Sequence, residues 1–384
     1  MRILVAHNAY QQRGGEDSVV DAEIDLLRAR GHAVHLYGRS NDDLAAMPKA
    51  SAALQTLWSQ QTSRELSSLI QSFQPDVIHV HNTFPLMSPS LYWAASRAGV
   101  PVVQTLHNFR LLCPQAMFLR EGKVCEDCLG KLPWRGAVRG CYRGSKAHST
   151  VLAGMVTLHR ALGTWQNKVT RYIALNEFCR NKFMEGGLPA DRIVVKPNFV
   201  DFEAPVTHAR AGFLFVGRLS AEKGVDVLVD AARALDSAHV RVAGTGPEAG
   251  LLAGVLGIQA LGALDGDAVR AEMSQAVALV LPSIWYENFP RTLVEAFGCG
   301  LPVIASRIGA LAELVQDGIT GLLFEPGNAQ DLADKLRWAQ ANSEHMAAMG
   351  RNARALYEAE FTAERNYAQL LAIYNDAIAA GSAS

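Results

Sequence analysis

Short apolar runs alternate with helical spacing along this whole sequence, and the series restarts once near the middle. "RILVAHN" reads as a strand; residues 17–30, "DSVVDAEIDLLRAR", carry helical spacing and stop at Gly31. "AVHLYG", "DVIHVHN", "VVQTLHN", "RYIALN" and "RIVVKPN" follow as strands, mostly separated by helical segments. Continuous β-branched runs without polar alternation predict strands buried on both faces, hence a parallel sheet between layers of helices. A second series opens at residues 212–218, "GFLFVGR", and continues with "HVRVAG", "IQALG", "ALVLPS", "PVIAS" and "GLLFEP". Between them, residues 198–211 are polar and aperiodic and read as a linker. The expected architecture is α/β: two doubly wound domains, 1–197 and 212–362, facing each other across a cleft. A final helix, 363–384, crosses back to the first domain.

The 384 residues exceed one comfortable core, which agrees with two domains. A formal net charge of −1 supplies no global field for nucleic acid or membranes, so any charge-driven binding must be local. The opening "MRILVAHN" reads as a strand rather than a secretory leader, and no run of 18 apolar residues occurs. The expectation is a cytoplasmic protein with reduced thiols.

Open α/β sheets bind ligands beyond the carboxyl ends of their strands. "VGRLSAEKG" puts Arg218 and Lys223 there, at a helix start, where a cation pair beside free amides suits a diphosphate. "WYENFPRTLVEAFGCG", residues 285–300, adds a second element. Pro290 fits the first helical position, so amides near Asn288 to Arg291 face outward. Glu287 precedes the helix, where a carboxylate binds sugar hydroxyls. Glu295 lies inside it, where a carboxylate holds a vicinal diol such as a ribose. The ordinary alternatives are an exposed basic pair, a loop Glu and a solvent-facing helix Glu.

"GRLSAEKG", "GTGPE", "LPSIWYENFPRTLVEAFGCGLPVIAS" and "DGITGLLFEPGN", taken in order, resemble the C-terminal half of retaining glycosyltransferases of the GT4 family, whose fold is GT-B, a pair of Rossmann-like domains. "RGGE", "PDVIHVHN" and "VVQTLHN" resemble its N-terminal half, and the glutamate pair matches the family's E-x7-E motif. The resemblance implies that Arg218 and Lys223 neutralise a donor diphosphate. Glu295 would bind the ribose, and Glu287 the transferred sugar, with the backbone amides of Asn288 and Phe289. Leu264 would lie near the base. Gly15 would let the backbone approach phosphate or acceptor, and His107 would face the anomeric region. The implied reaction moves a hexose from a UDP- or GDP-sugar to an acceptor hydroxyl with retention, without a catalytic metal. Two features depart from the family pattern: "NFPRT" replaces a glycine-rich turn, and a cysteine-bearing insert, about 108–148, follows His107.

Two motifs read as decoys. Asp265-Gly-Asp267 mimics a metal-binding Asp-x-Asp but precedes a helix, where Asp is an ordinary N-cap. "GTGPEAG" mimics a dinucleotide fingerprint, but its third glycine is one place late.

Cys113, Cys125, Cys128 and Cys141 contain a C-x2-C and suggest a structural zinc bracing a loop without a core, against the alternative of four unligated thiols. From Asp127 to Glu177 no acid intervenes among Lys131, Arg135, Arg139, Arg143, Lys146, Arg160, Lys168 and Arg171. Trp134, Met155, Leu158, Leu162 and Trp165 are interleaved with them. This stretch, 131–171, predicts docking to an anionic membrane or lipid diphosphate rather than nucleic acid. The expected partners are a nucleotide-sugar donor and a glycan or lipid-linked acceptor, with the protein peripheral at the inner membrane face. The rivals are a nucleotide-sugar epimerase on the same fold and a non-catalytic sugar-nucleotide-binding protein.

Overall fold

The computed structural model describes residues 1–11, 14–202, 209–235 and 239–382. The chain forms two compact units. One holds Met1–Phe118, Glu126–Asn198 and the chain from Asn366 onward; the other holds Leu119–Cys125 and Phe199–Arg365.

The first unit is built on six parallel strands, β1 (Arg2–Ala9), β2 (Ala33–Ser40), β3 (Val77–Asn82), β4 (Val102–Thr105), β5 (Arg171–Ala174) and β6 (Ile193–Val195). Their order is β2-β1-β3-β4-β5-β6. The second has β7 (Phe213–Val216), β8 (Val240–Ala243), β9 (Ile258–Gly262), β10 (Ala278–Leu281), β11 (Val303–Ser306) and β12 (Gly321–Phe324), also parallel, in the order β9-β8-β7-β10-β11-β12. All twelve coincide with the apolar runs that predict them; β1 and β2 run on past theirs to Ala9 and Ser40, and most of the others stop short of the run's end. "VVQTLHN" leaves the sheet after Thr105 because His107 and Asn108 turn out into a pocket.

Side chains of one strand enter two cores. Phe213 and Phe215 join Val240, Val242 and Leu228 on one face of the second sheet. Leu214 joins Leu279, Val303 and Leu323 on the other. This period-two division of an all-apolar strand is what burial on both faces requires. In the first unit, Ile3, Val5, Val77 and Val103 pack under the helix Gly15–Ala29. Leu370, Ile373, Tyr374 and Ala377 of the last helix, Ala363–Ser382, share that core. The predicted linker lies partly outside the described residues, at 203–208. Its start is anchored: Val200 donates its N–H to the Phe361 carbonyl at 3.4 Å and accepts the Tyr357 hydroxyl at 2.7 Å.

The Cys-bearing insert has a core of its own. Phe109 and Phe118 are buried with ring centroids 4.9 Å apart, and Phe183 lies 5.5 Å from Phe109. Gly136 lies so near Pro114 that a Cβ would approach its Cγ to 2.8 Å. The loop is thus braced by packing, contrary to the expectation that it lacks a core. Leu119–Arg120 and Lys123–Val124 form a two-stranded antiparallel hairpin that the sequence reading missed.

One charge pair sits inside the first unit. Lys196 just after β6 is fully buried, and its Nζ lies 2.7 Å from Oε1 of Glu23, itself 2% exposed. Burial alone would push Glu23 up; the Lys196 ammonium, helped by His81, overrides it and holds the carboxyl below its usual range. Removing one partner leaves an uncompensated buried charge. Lys196→Met should therefore cost about 3–5 kcal/mol in urea unfolding. The double variant with Glu23→Gln should recover much of that loss; two additive losses would show that the pair is not coupled.

Candidate functional site

In the second sheet the strand order reverses between β7 and β10, the place where such sheets bind ligands. The chain leaves β7 through Gly217 and the exposed Arg218, and leaves β10 through Pro282 and Ser283. Two glycines let the neighbouring loops close up. Gly224 has φ +67°, and a Cβ there would lie 2.0 Å from the Pro282 carbonyl oxygen. Gly244 has φ +145°, and its Cβ would meet the Gly217 carbonyl oxygen at 1.8 Å. The G-x-G of "GTGPE" thus serves close backbone packing at strand ends.

This approach carries Lys223 to the loop after β10. Its Nζ lies 2.6 Å from Glu287 Oε1, and the same oxygen accepts Ser283 Oγ at 2.7 Å and Trp285 Nε1 at 3.2 Å. The Lys223 ammonium sits 5.6 Å from the Trp285 ring centroid. Glu287 is buried. Pro290 stands one residue earlier than expected, as the cap of the helix Arg291–Gly298; its carbonyl already accepts the Leu293 amide. Glu295 lies in that helix, buried, with Arg291 Nε 3.0 Å from its Oε1. Burial raises the Glu295 carboxyl above its usual value, with Arg291 pulling the other way. Leu264 and Phe289 pack on the apolar cluster that holds Leu293 and Val294. Arg218, Lys223, Leu264, Glu287, Asn288, Phe289 and Glu295 therefore all belong to the second unit.

The Asp-x-Asp reads as a cap in the structure as well. Asp265 accepts the Ala268 amide at 2.8 Å, and Asp267 pairs with Arg270.

Gly15 and His107 belong to the first unit, whose order reverses between β1 and β3. Arg13 of the "RGGE" motif lies outside the described residues. Gly15 opens its helix, and a Cβ there would meet nothing within 4 Å. The loop is held by Asp17, which accepts the Gly14 amide at 2.8 Å and meets His7 Nε2 at 2.8 Å. Tyr10 donates its hydroxyl to Glu16 at 2.9 Å. Burial pushes Glu16 up to about 8 against that hydrogen bond.

His107 shares a small pocket with His81, Asn108 and Arg110. Its Nε2 lies 2.9 Å from His81 Nδ1, and the far nitrogen of His81, Nε2, faces Glu23 Oε2 at 3.5 Å. Burial depresses His107 to about 3, so its imidazole is neutral at pH 7. Neither Glu23 Oε2 nor His81 Nε2 has a hydrogen-bond partner among the described residues, so the carboxylate acts on His81 as a nearby negative charge, and one of the two facing imidazole nitrogens, His81 Nδ1 or His107 Nε2, carries the shared proton. Glu23, His81 and Lys196 were missed by sequence reasoning. "VIHVHN" offers His81 by type alone, and nothing local links it to a helix 58 residues earlier.

The comparisons with known proteins come to the same place. The family described as Glycosyltransferase Family 4 matches residues 13–204, and Glycosyl transferases group 1 matches 201–356. The chain belongs to the family 4 glycosyltransferases. It is 25% identical over 416 aligned residues to a phosphatidyl-myo-inositol mannosyltransferase of Mycobacterium leprae, covering all of this chain and 98% of that one. It is 33% identical to an uncharacterized glycosyltransferase of Methanocaldococcus jannaschii over 47% of this chain and 53% of that protein. Anabaena HepE, solved with UDP, matches at TM-score 0.71 with 18% identity, covering 97% and 98% of the two chains. Sucrose-phosphate synthase of Thermosynechococcus elongatus matches at 0.74 with 18% identity, covering 98% and 99%. The fold of this family 4 glycosyltransferase is GT-B.

Among the described residues, the group that brings three potential metal ligands within 4.8 Å is Glu23, His79 and His81, not the four cysteines. It does not fit a cation. The Lys196 ammonium already occupies Glu23, and both His79 nitrogens are engaged, with Thr105 Oγ1 at 2.8 Å and the Tyr374 hydroxyl at 2.7 Å. Cys113, Cys125, Cys128 and Cys141 are not gathered as a ligand set, so no step is routed through zinc.

The basic stretch is acid-free in sequence but not in space. Asp127 pairs with Arg135 and Arg139, and Asp376 pairs with Arg171. Arg160 donates to the Lys131 carbonyl at 2.9 Å. Met155 and Trp165 are core residues. Lys131, Arg143 and Lys146 stand exposed, and so do Leu132, Trp134, Val138, Leu158 and Leu162 of the same stretch. No helix of the described residues is long and apolar enough to cross a membrane.

Glu16 has a measurable consequence. The folded chain keeps the Glu16 proton between 4.5 and about 8, where the unfolded chain has lost it, so stability falls as pH rises through that window. Glu16→Gln removes this loss. Its melting temperature should gain on wild type more at pH 8.5 than at pH 5; an equal difference at both would show that Glu16 does not titrate there.

Proposed function

We propose that this family 4 glycosyltransferase moves a hexose, with retention, from a UDP- or GDP-sugar to an acceptor hydroxyl, in the building of a cell-surface glycolipid or polysaccharide. The observation that carries the reading is the Lys223–Glu287 contact at the strand reversal, with Glu295 buried on the following helix. Arg218 and Lys223 meet the donor diphosphate, together with amides near Asn288 and Phe289. Lys223, Ser283 and Trp285 all fall on Glu287 Oε1, so Oε2 is the atom that takes a sugar hydroxyl. Glu295 holds the ribose diol, with Arg291 fixing its other oxygen, and Leu264 lies near the base. HepE's complex with UDP-glucose, on the same fold, supports a nucleotide-sugar donor.

The anomeric carbon–oxygen bond breaks, and its electron pair goes to the diphosphate, whose growing charge Arg218 and Lys223 stabilise. The acceptor oxygen adds from the same face, and its proton passes to the departing phosphate oxygen. Neutral His107, held by His81, stabilises sugar hydroxyls rather than acting as a nucleophile. The two cations supply positive charge without a metal, and Asp265 and Asp267 are spent on a helix cap and on Arg270. A lipid-linked acceptor is supported by the exposed apolar side chains of the stretch that carries Lys131, Arg143 and Lys146, and by the mycobacterial relative, named for a phosphatidyl-inositol acceptor.

Thermal shifts with UDP- and GDP-sugars should identify the donor, and Arg218→Ala should abolish the shift. Glu287→Gln should lower transfer by roughly 10²-fold, the scale for one transition-state partner. NMR of the product should show the donor's anomeric configuration. An inverted product, or donor conversion without any acceptor, would overturn the reading.

A further inference from the structure

A trough of about 430 Å³ lies in the first unit beside the helices Lys49–Leu57 and Lys146–Ala161. Leu44, Met47, Ala53, Pro85, Val151 and Leu152 give it apolar walls. Lys49, Arg143 and His148 also line it, and no carboxylate does. It ends at Phe84 and Tyr142, whose rings meet edge to face with centroids 6.0 Å apart.

Two guanidinium groups flank Tyr142 at that end. Arg110 lies 5.3 Å from its ring centroid and 4.3 Å from that of Phe84; Arg143 lies 5.4 Å from the Tyr142 ring. Arg143 has φ +53°, a conformation that suits glycine and that arginine adopts only against its backbone preference. Phe84 and Arg110 also line the small pocket that contains His107. The apolar trough, the paired arginines and the His107 pocket therefore follow one another within one unit.

Resting on the lipid-acceptor reading above, we propose that this trough takes the hydrocarbon chain of a lipid phosphate acceptor. Arg110 and Arg143 hold its phosphate at Tyr142, and the acceptor hydroxyl lies toward His107. Apolar walls suit a chain, and Lys49 and Arg143 as the charged groups of the lining suit an anionic amphiphile; a soluble glycan would leave the walls unused.

The test is a chain-length series of prenyl monophosphates, from five to twenty carbons, binding to the full-length protein below their micelle concentrations. Affinity should rise with length, by up to about fourfold per buried methylene, until the trough is full. Val151→Trp should erase the length dependence. Ala147→Trp, an exposed lining position that tolerates bulk, should do the same should the first variant fail to fold. Arg143→Ala should weaken every length alike. Each variant should keep the wild-type thermal shift with the nucleotide sugar. Length-independent binding by the wild type, with donor binding intact, overturns the trough and leaves the transferase reading standing. Chain-length binding by a protein that glycosylates none of these lipids or their glycosylated diphosphates overturns the acceptor reading instead. Vesicles of anionic phospholipid binding wild type and filled variant equally, with no length dependence in solution, would assign the surface to membrane adsorption and overturn the trough.

Discussion

A parallel sheet covered on both faces makes an unpaired polar group inside it costly, and the placement of this molecule's chemistry follows from that. Phe213, Leu214 and Phe215 each enter an apolar core, so the strand itself carries no chemistry. The first groups free to act are those just past the strand's carboxyl end. Where strand order reverses, the loops from two adjacent strands depart in opposite directions and leave a crevice. Arg218 follows one such strand, and Ser283 and Glu287 follow the other. The glycine at 224 is needed because these loops must nearly touch for Lys223 to reach Glu287, while Gly244 lets the end of β8 close on Gly217.

The buried Lys196–Glu23 pair is the exception that the same rule tests. It persists because each charge has its partner, and because its remaining oxygen faces the histidines of β3. The carboxylate places a negative charge 3.5 Å from His81 Nε2, and His81 Nδ1 in turn meets His107 Nε2 at 2.9 Å. The Tyr374 hydroxyl, from the last helix, closes the cluster on His79. The far end of the chain thus completes a network begun in the first helix.

The strands were legible because burial on both faces writes itself as an unbroken apolar run. Arg218, Lys223, Glu287 and Glu295 were legible because each lies within a few residues of a strand end or helix start. What failed was whatever depends on distance along the chain. Asp376 neutralises Arg171 from 205 residues away, so the basic stretch looked more bare than it is. Met155 and Trp165 looked like part of a membrane face, yet they point into the core. The packing that braces the insert was not visible, because Phe183, which helps fill its core, belongs to a later helix. His81 was visible as a residue, but not as the link between Glu23 and His107.

The charges at the second-unit site carry one further constraint. Arg218, Lys223 and Arg291 contribute three positive charges, and Glu287 and Glu295 two negative ones, a net of about +1 against a diphosphate of about −2. Two of those cations already face a carboxylate, Lys223 on Glu287 and Arg291 on Glu295. On the proposed reading these side chains alone would leave a donor diphosphate under-neutralised. Peptide N–H groups at the start of the helix after Pro290 would add partial positive charge that needs no counter-ion and does not reorganise. A glutamate beside the diphosphate lysine is tolerable for the same reason. On the proposed reading its oxygen would set the ammonium between two anions, with Ser283 and Trp285 keeping Glu287 in place.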